Sequence, residues 1–200
     1  MTKFIHKIGG MMALAALGVA SFTSCSEEID DSNLYTFTGQ TVIDYLRSDS
    51  TLSDIARISD IAGMSDRLSA YGTYTCFAPT NEALEDYIKS LYNDEKSGDF
   101  HNGLYTGYGD KVPADSVMNL LWKSEKRDSL CKDIIESHVT GQKKTTNDFL
   151  TGADITMMLG NTHTPKRVNG ELTMDGTTHF IKTDQEVENG IVHIIDRLFY

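Results

Sequence analysis

The chain has 200 residues, with 18 Lys and Arg against 29 Asp and Glu, a net charge of −11. That excess of acid excludes binding along a phosphate backbone, which rests on Lys and Arg neutralising phosphates. No basic stripe with interleaved aromatics runs through the sequence, so a nucleic-acid partner is not expected.

The first 24 residues read as a targeting leader and not as part of a fold. Lys3, His6 and Lys7 make a basic start, and Ile8 to Val19 is an apolar stretch rich in Ala, Gly and Met. It is shorter than the about 20 apolar residues a membrane span needs. The pattern is that of a secretory signal. It ends in Ser21-Phe22-Thr23-Ser24-Cys25, which resembles a bacterial lipoprotein cleavage site with Cys25 as the lipidated residue. Phe22 stands where Leu is usual; an ordinary cleaved signal is the alternative. Residues 25–33 form an acidic tether with Glu27, Glu28, Asp30 and Asp31, a composition that buries no core. Without the leader, 16 basic residues face 29 acids, a net charge near −13. Attachment to a membrane is therefore expected through the lipid alone.

Residues 34–200 are enough for one domain with a sizeable core. Thr41 to Arg47 reads as a short amphipathic helix. Thr51-Leu52-Ser53-Asp54 resembles a capping box and opens a second helix that Gly63 ends. Asp66 to Ala70 begins a third. Tyr74 to Phe77 has strand-favouring residues, and Ala78-Pro79 stops the strand. Thr80-Asn81-Glu82 then opens a helix to Tyr92, with Thr80 or Asn81 accepting its orphan N–H groups.

Residues 93–112 carry four glycines and no sustained period, and read as a long loop or insertion. Phe100, Tyr105 and Tyr108 in it offer either a contact surface or a partly packed lid. Pro113 suits the first turn of a helix with Val117, Leu120, Leu121 and Trp122 inward. Asp128 to Val139 is the clearest helix, with Leu130, Cys131, Ile134, Ile135 and His138 along one stripe. After Gly141, Asn147 to Leu150 is a turn. Ile155–Leu159, Thr164–Val168, Glu171–Met174 and Thr178–Lys182 read as short strands, with hairpin signals at Asn169-Gly170 and Asp175-Gly176. Asn189 to Phe199 is a β-branched run apolar on both faces, as in a strand covered on both sides. Helices first and strands later indicate α+β.

Cys76 and Cys131 lie in apolar contexts where a free cysteine behaves as a small hydrophobe. An exported chain meets an oxidising compartment, so a bridge between them is the alternative. Cys131 and His138 are about 10 Å apart along one helix, too far for a thiolate–imidazole pair. No nucleophile elbow, HExxH or phosphate-binding loop occurs, and the histidines lack metal-ligand spacing. No catalytic residue, metal or cofactor is assigned. A glycosidase-type pair of carboxylates stays open from sequence alone.

Two segments, Tyr74–Leu84 (YTCFAPTNEAL) and Asn189–Phe199 (NGIVHIIDRLF), resemble the two signature boxes of the fasciclin-like domain, in the right order. Ile134–Val139 (IIESHV) occupies the place of the family's Tyr-His helix end. The similarity spans roughly Thr41 to Tyr200. It implies an α+β fold of two small sheets forming a wedge, with helices around one end. Phe77, Pro79, Thr80, Asn81, Asn189, Gly190, His193 and Asp196 become structural box residues, with the two box strands side by side.

The resemblance also implies a secreted or surface-anchored adhesion and binding module without catalysis. The serine and acids after Cys25 resemble the surface-export signal of Bacteroidota lipoproteins, so the expected location is the outer membrane, facing outward. The family's receptor-binding regions fall on His138, where Ser137 replaces the Tyr, and on Asp184-Gln185, where Gln replaces Ile. Each has a plainer alternative: a hydrogen-bonded core histidine, and a solvated turn carboxylate. The expected partner is an extracellular protein or glycan. An accessory glycan-binding role beside a polysaccharide-uptake system and a purely structural envelope role are the alternatives. The chain ends directly after its last strand, the pattern of a first domain in a longer protein.

Overall fold

A computed structural model describes residues 39–96 and 117–199, with the side chains of 93–96 left aside. The described residues belong to one compact unit. Cys25 and the tether, Phe100, Tyr105, Tyr108 and Pro113 lie outside the described residues.

The N-terminal part is helical. α1 (Val42–Ser48) is opened by Thr41, whose backbone and hydroxyl both donate to Asp44 while the Asp44 N–H donates back to the hydroxyl. This reciprocal box satisfies donors that a helix start otherwise leaves open. A 3-10 turn (Ser50–Leu52) leads into α2 (Ser53–Ile61). Here the sequence expectation fails: Thr51 to Asp54 makes no capping box. Asp49 accepts from the Thr51 N–H, and α2 begins after Leu52 with no side-chain cap from its own segment. α2 ends as expected, with Gly63 at φ 68°. The Met64 N–H donates to Ser59 O and the Gly63 N–H to Asp60 O, the paired bonds of a Schellman end. α3 (Ser65–Ser69) follows.

β1 (Tyr74–Pro79) runs straight into α4 (Asn81–Lys96), so the first residues assigned to the insertion, 93–96, are helical. α5 (Val117–Trp122) and α6 (Arg127–Ser137) complete the helices of this half. α6 stops two residues short of the expected end. His138 leaves the helical region, and Val139-Thr140 forms β2, antiparallel to β1. β-branched residues fit a strand better than a helix end.

The second half is mainly strand: α7 (Thr146–Phe149), β3 (Ile155–Thr156), β4 (Thr162–His163), β5 (Pro165–Val168), β6 (Glu171–Met174), β7 (Thr178–Val187) and β8 (Gly190–Ile195). α7 carries a capping box between Thr145 and Asp148. Both hairpin signals hold, with Asn169-Gly170 and Asp175-Gly176 all at positive φ. Two readings need correction. The strand expected over Ile155–Leu159 ends at Thr156, because Met157 turns to bond with Asn161. The strand expected to stop at Lys182 runs on to Val187 through two register shifts that break its alternation.

Six strands form one sheet in the order β2-β1-β8-β7-β6-β5; β3 and β4 form a second, two-stranded sheet. β1 and β8 lie side by side in parallel, Tyr74 opposite Gly190 through Pro79 opposite Ile195. Every residue of β8 is buried. Cys76, Ala78, Val192 and Ile194 face the helices, in a core with Leu46, Ile55, Leu84, Leu121 and Ile135. Phe77 and Ile195 face the other way, into a smaller core with Phe149, Ile155, Met157, Met174 and Phe199. The central pair thus has an apolar layer on both faces, as its unbroken apolar run requires.

Candidate functional site

The corner between β1 and α4 is a joint. Thr80 caps α4, its Oγ1 accepting from the Ala83 N–H at 3.2 Å. Asn81 does something the sequence does not show. Its Oδ1 accepts from the Asp54 N–H at 3.0 Å, and its Nδ2 donates to Ser50 O and Ser53 Oγ. It supplies the missing cap of α2 from 27 residues away. The Thr80 N–H donates to Ile195 O, which ties the joint to the second box.

The second box opens with an equivalent device. Asn189 is buried; its Oδ1 accepts from the Val42 N–H, and its Nδ2 donates to Leu68 O and Ala70 O. Its own carbonyl accepts from the Tyr74 N–H. Gly190 sits so close to β1 that a Cβ there would lie 2.1 Å from Tyr74 O. Asp196 closes the box: its Oδ1 accepts from the His179 N–H at 2.8 Å.

His193 is fully buried, its ring 5.4 Å from that of Phe77. Its Nε2 donates to Lys144 O at 2.9 Å, and its Nδ1 accepts from the Asp184 N–H at 3.2 Å. Both ring nitrogens are thereby used, and burial lowers its pKa from the usual histidine value. Asp184 stands at φ 52° in the irregular part of β7. Its carboxylate accepts from both the Thr146 N–H (2.9 Å) and the Thr146 hydroxyl (2.5 Å), fixing the start of α7. Gln185 Nε2 donates to Thr183 O, and its Oε1 accepts from the Tyr45 hydroxyl at 3.3 Å.

His138 is also fully buried. Its Nε2 accepts from the Phe199 N–H at 3.0 Å, so Nδ1 carries the proton and donates to Ile134 O at 2.7 Å. Burial holds its pKa down to about 4. Phe199 stacks on it with centroids 4.9 Å apart and meets the ring of His163 at 4.4 Å. His163 in turn bonds to Asp175 at 2.5 Å.

Beside this cluster the surface opens. A cleft of about 390 Å³ lies between α4 (Tyr87, Leu91), α6 (Leu130, Ile134) and the segment after β8 (Leu198, Phe199), with Asp133 also on its wall. A second cleft of about 270 Å³ continues along α4 and is lined by Asp86, Ser90, Asp196 and Arg197. The two share Tyr87 and Leu198. His138 borders the first cleft, whereas Asp184 and Gln185 border neither. No sequence signal marks the cleft, since its walls come from four separated segments whose apolar residues read as ordinary core or turn.

Cys76 and Cys131 are free and buried. Burial pushes the Cys76 thiol up to about 12 and that of Cys131 up to about 11, so neither offers a thiolate near neutral pH. Among the described residues, no group of three or more His, Cys, Asp or Glu is arranged to hold a metal ion.

The fasciclin domain model matches residues 110–200. Over 195 residues the chain is 24% identical to Protein sll1483 of Synechocystis sp., covering 98% of this chain and 92% of that protein. It is 23% identical to human Periostin over 160 residues, 80% of this chain but only 16% of periostin. The fold is similar to that of the FAS1 domain pair from the insect cell adhesion molecule Fasciclin I, with a TM-score of 0.57 and 17% identity, over 80% of this chain and 51% of that one. The two box strands pair at the centre of a fold similar to that of the FAS1 domain, and residues 110–200 match a fasciclin domain.

Proposed function

We propose that the protein is a lipid-anchored envelope protein whose fasciclin domain holds an extracellular macromolecule without transforming it. The observation that carries this reading is the division of labour between core and surface. The box residues and the histidines His138 and His193 are spent on internal hydrogen bonds. An apolar-floored cleft opens beside His138, the kind of concave surface that takes a ligand. Human Periostin and the insect cell adhesion molecule are consistent with such a role for this fold. The leader ending at Cys25 supports acylation of that thiol.

Two measurements test the reading. Cells expressing the full chain are labelled with a clickable palmitate analogue; label is expected on the protein and is lost in Cys25→Ser. An unlabelled protein would overturn the anchor. The purified protein is applied to a glycan array and used to capture partners from host mucus; a saturable macromolecular partner is expected. Sugar binding abolished by Tyr105→Ala with Tyr108→Ala would move the assignment to an accessory role in polysaccharide uptake. Retention of neither sugar nor protein would leave only the structural envelope role.

A further inference from the structure

The two clefts along α4 form one groove, joined where Tyr87 and Leu198 line both. Its α4 wall runs from Ala83 to Leu91, about 12 Å at 1.5 Å per residue. An extended segment covers that length with about four residues.

The floor is apolar. Leu91, Leu130, Ile134, Leu198 and Phe199 contribute to it, and Leu159 stands at its rim 45% exposed. Ile134, Leu198 and Phe199 are buried at its base, Leu91 and Leu130 are partly buried, and of these six Leu159 alone is exposed, so the floor is a concave apolar recess of the kind that takes a ligand side chain. The rim is acidic, with Asp133 at one end and Asp86 and Asp196 at the other, against the single guanidinium of Arg197. Lys89 pairs with Glu85 and Asp86, and Lys132 with Glu136, which leaves Asp133 without an ion pair among the described residues. The hydroxyl of Tyr87, inside the groove, is held above the usual tyrosine pKa by burial and by Asp133.

We propose that this groove binds an extended peptide segment of a partner protein, in which apolar side chains entering the floor are flanked by lysine or arginine meeting Asp133 and Asp196. The proposal rests on the binding role above and gives it a partner chemistry. Charge complementarity selects the occupant: an anionic glycan or an acidic segment meets like charge at both ends. A second copy of this chain, itself at −11, is disfavoured for the same reason.

The test pans a phage-displayed random peptide library on the full chain, then titrates fluorescein-labelled versions of the enriched peptides by polarisation. Enriched peptides are expected to pair aliphatic or aromatic residues with Lys or Arg. Their affinity is expected to fall about tenfold or more in Leu159→Arg and in Asp133→Lys, both exposed positions whose variants keep the melting temperature. Replacing the peptide lysines by glutamate is expected to restore binding to Asp133→Lys, a reversal that a merely structural effect would not give. Peptides without basic residues, or peptides that bind both variants as tightly as the parent, overturn the proposal. So does a dimer in sedimentation that Leu159→Arg dissolves, since that assigns the groove to a second copy. If no peptide is enriched while partners are still captured from mucus, the groove assignment fails and the binding role stands.

Discussion

Asn189 ties two separate parts of the chain with one side chain: the start of α1, and through Leu68 O and Ala70 O the C-terminal end of α3. An alanine there would strand a buried N–H and two carbonyls. Unpaired buried groups cost about 1–3 kcal/mol each, and partial rescue by water lowers the sum. Asn189→Ala is expected to lower the unfolding free energy by about 3 kcal/mol in urea titration. Gly190→Ala acts differently, by driving a methyl into the Tyr74 carbonyl and forcing β1 and β8 apart. We expect it to cost at least as much as Asn189→Ala, and a neutral result in the same titration would contradict the close approach of the two strands. Asp184 belongs at this scale too. Its carboxylate is engaged by Thr146, so a partner reaching it would have to compete with two internal hydrogen bonds.

The caps decide the joint between strand and helix. Thr80 serves α4 and Asn81 serves α2, so the two contributions are separable. Thr80→Ala is expected to cost about 1 kcal/mol. Asn81→Ala should cost more, about 2 kcal/mol, because it also frees Ser50 O and Ser53 Oγ. Thermal melts of the two single variants and the double variant check this; equal effects, or no effect, would contradict the shared cap. The same element shows what a sequence can and cannot reveal. The joint is legible because proline, threonine and asparagine act within a few residues. The α2 cap is not, because its acceptor comes from 27 residues away. β8 is legible because both its faces are apolar, whereas the second half of β7 is hidden by register shifts that break its period. Thr41 with Asp44 formed the box that Thr51 with Asp54 did not, although both share the pattern; Asp49 had already taken the Thr51 N–H. For the groove, His138 is legible as a core histidine on a helix stripe. The opening beside it is not, since it arises where α4, α6 and the last residues of the chain come together.

Over the whole molecule, the buried histidines set a pH dependence. Burial holds His138 down to about 4, from an ordinary value of 6.5, and lowers His193 as well. Between those pH values the unfolded chain binds protons that the folded chain refuses, so stability is full above about pH 6.5 and falls as pH drops toward 4. The loss assigned to His138 is about 3 kcal/mol. Asp44 and Asp49, held below the usual carboxylate range by hydrogen bonds from Thr41 and Thr51, continue the decline at lower pH. Urea midpoints from pH 7 to pH 4 are expected to fall, with a shallower slope in His138→Gln. A flat profile would mean that the histidine is not sealed in the core.

The pairing of β1 with β8 carries a consequence for how the molecule comes into being. α1 waits for a hydrogen bond from a residue 147 positions further on, and β1 keeps an open edge beside it until Gly190–Ile195 arrive. Closing so wide a loop delays the reward of every contact inside it. The helices emerge from the ribosome well before β8, yet β8 is the strand that locks them, so assembly of this domain proceeds like a zip whose slider is fitted late.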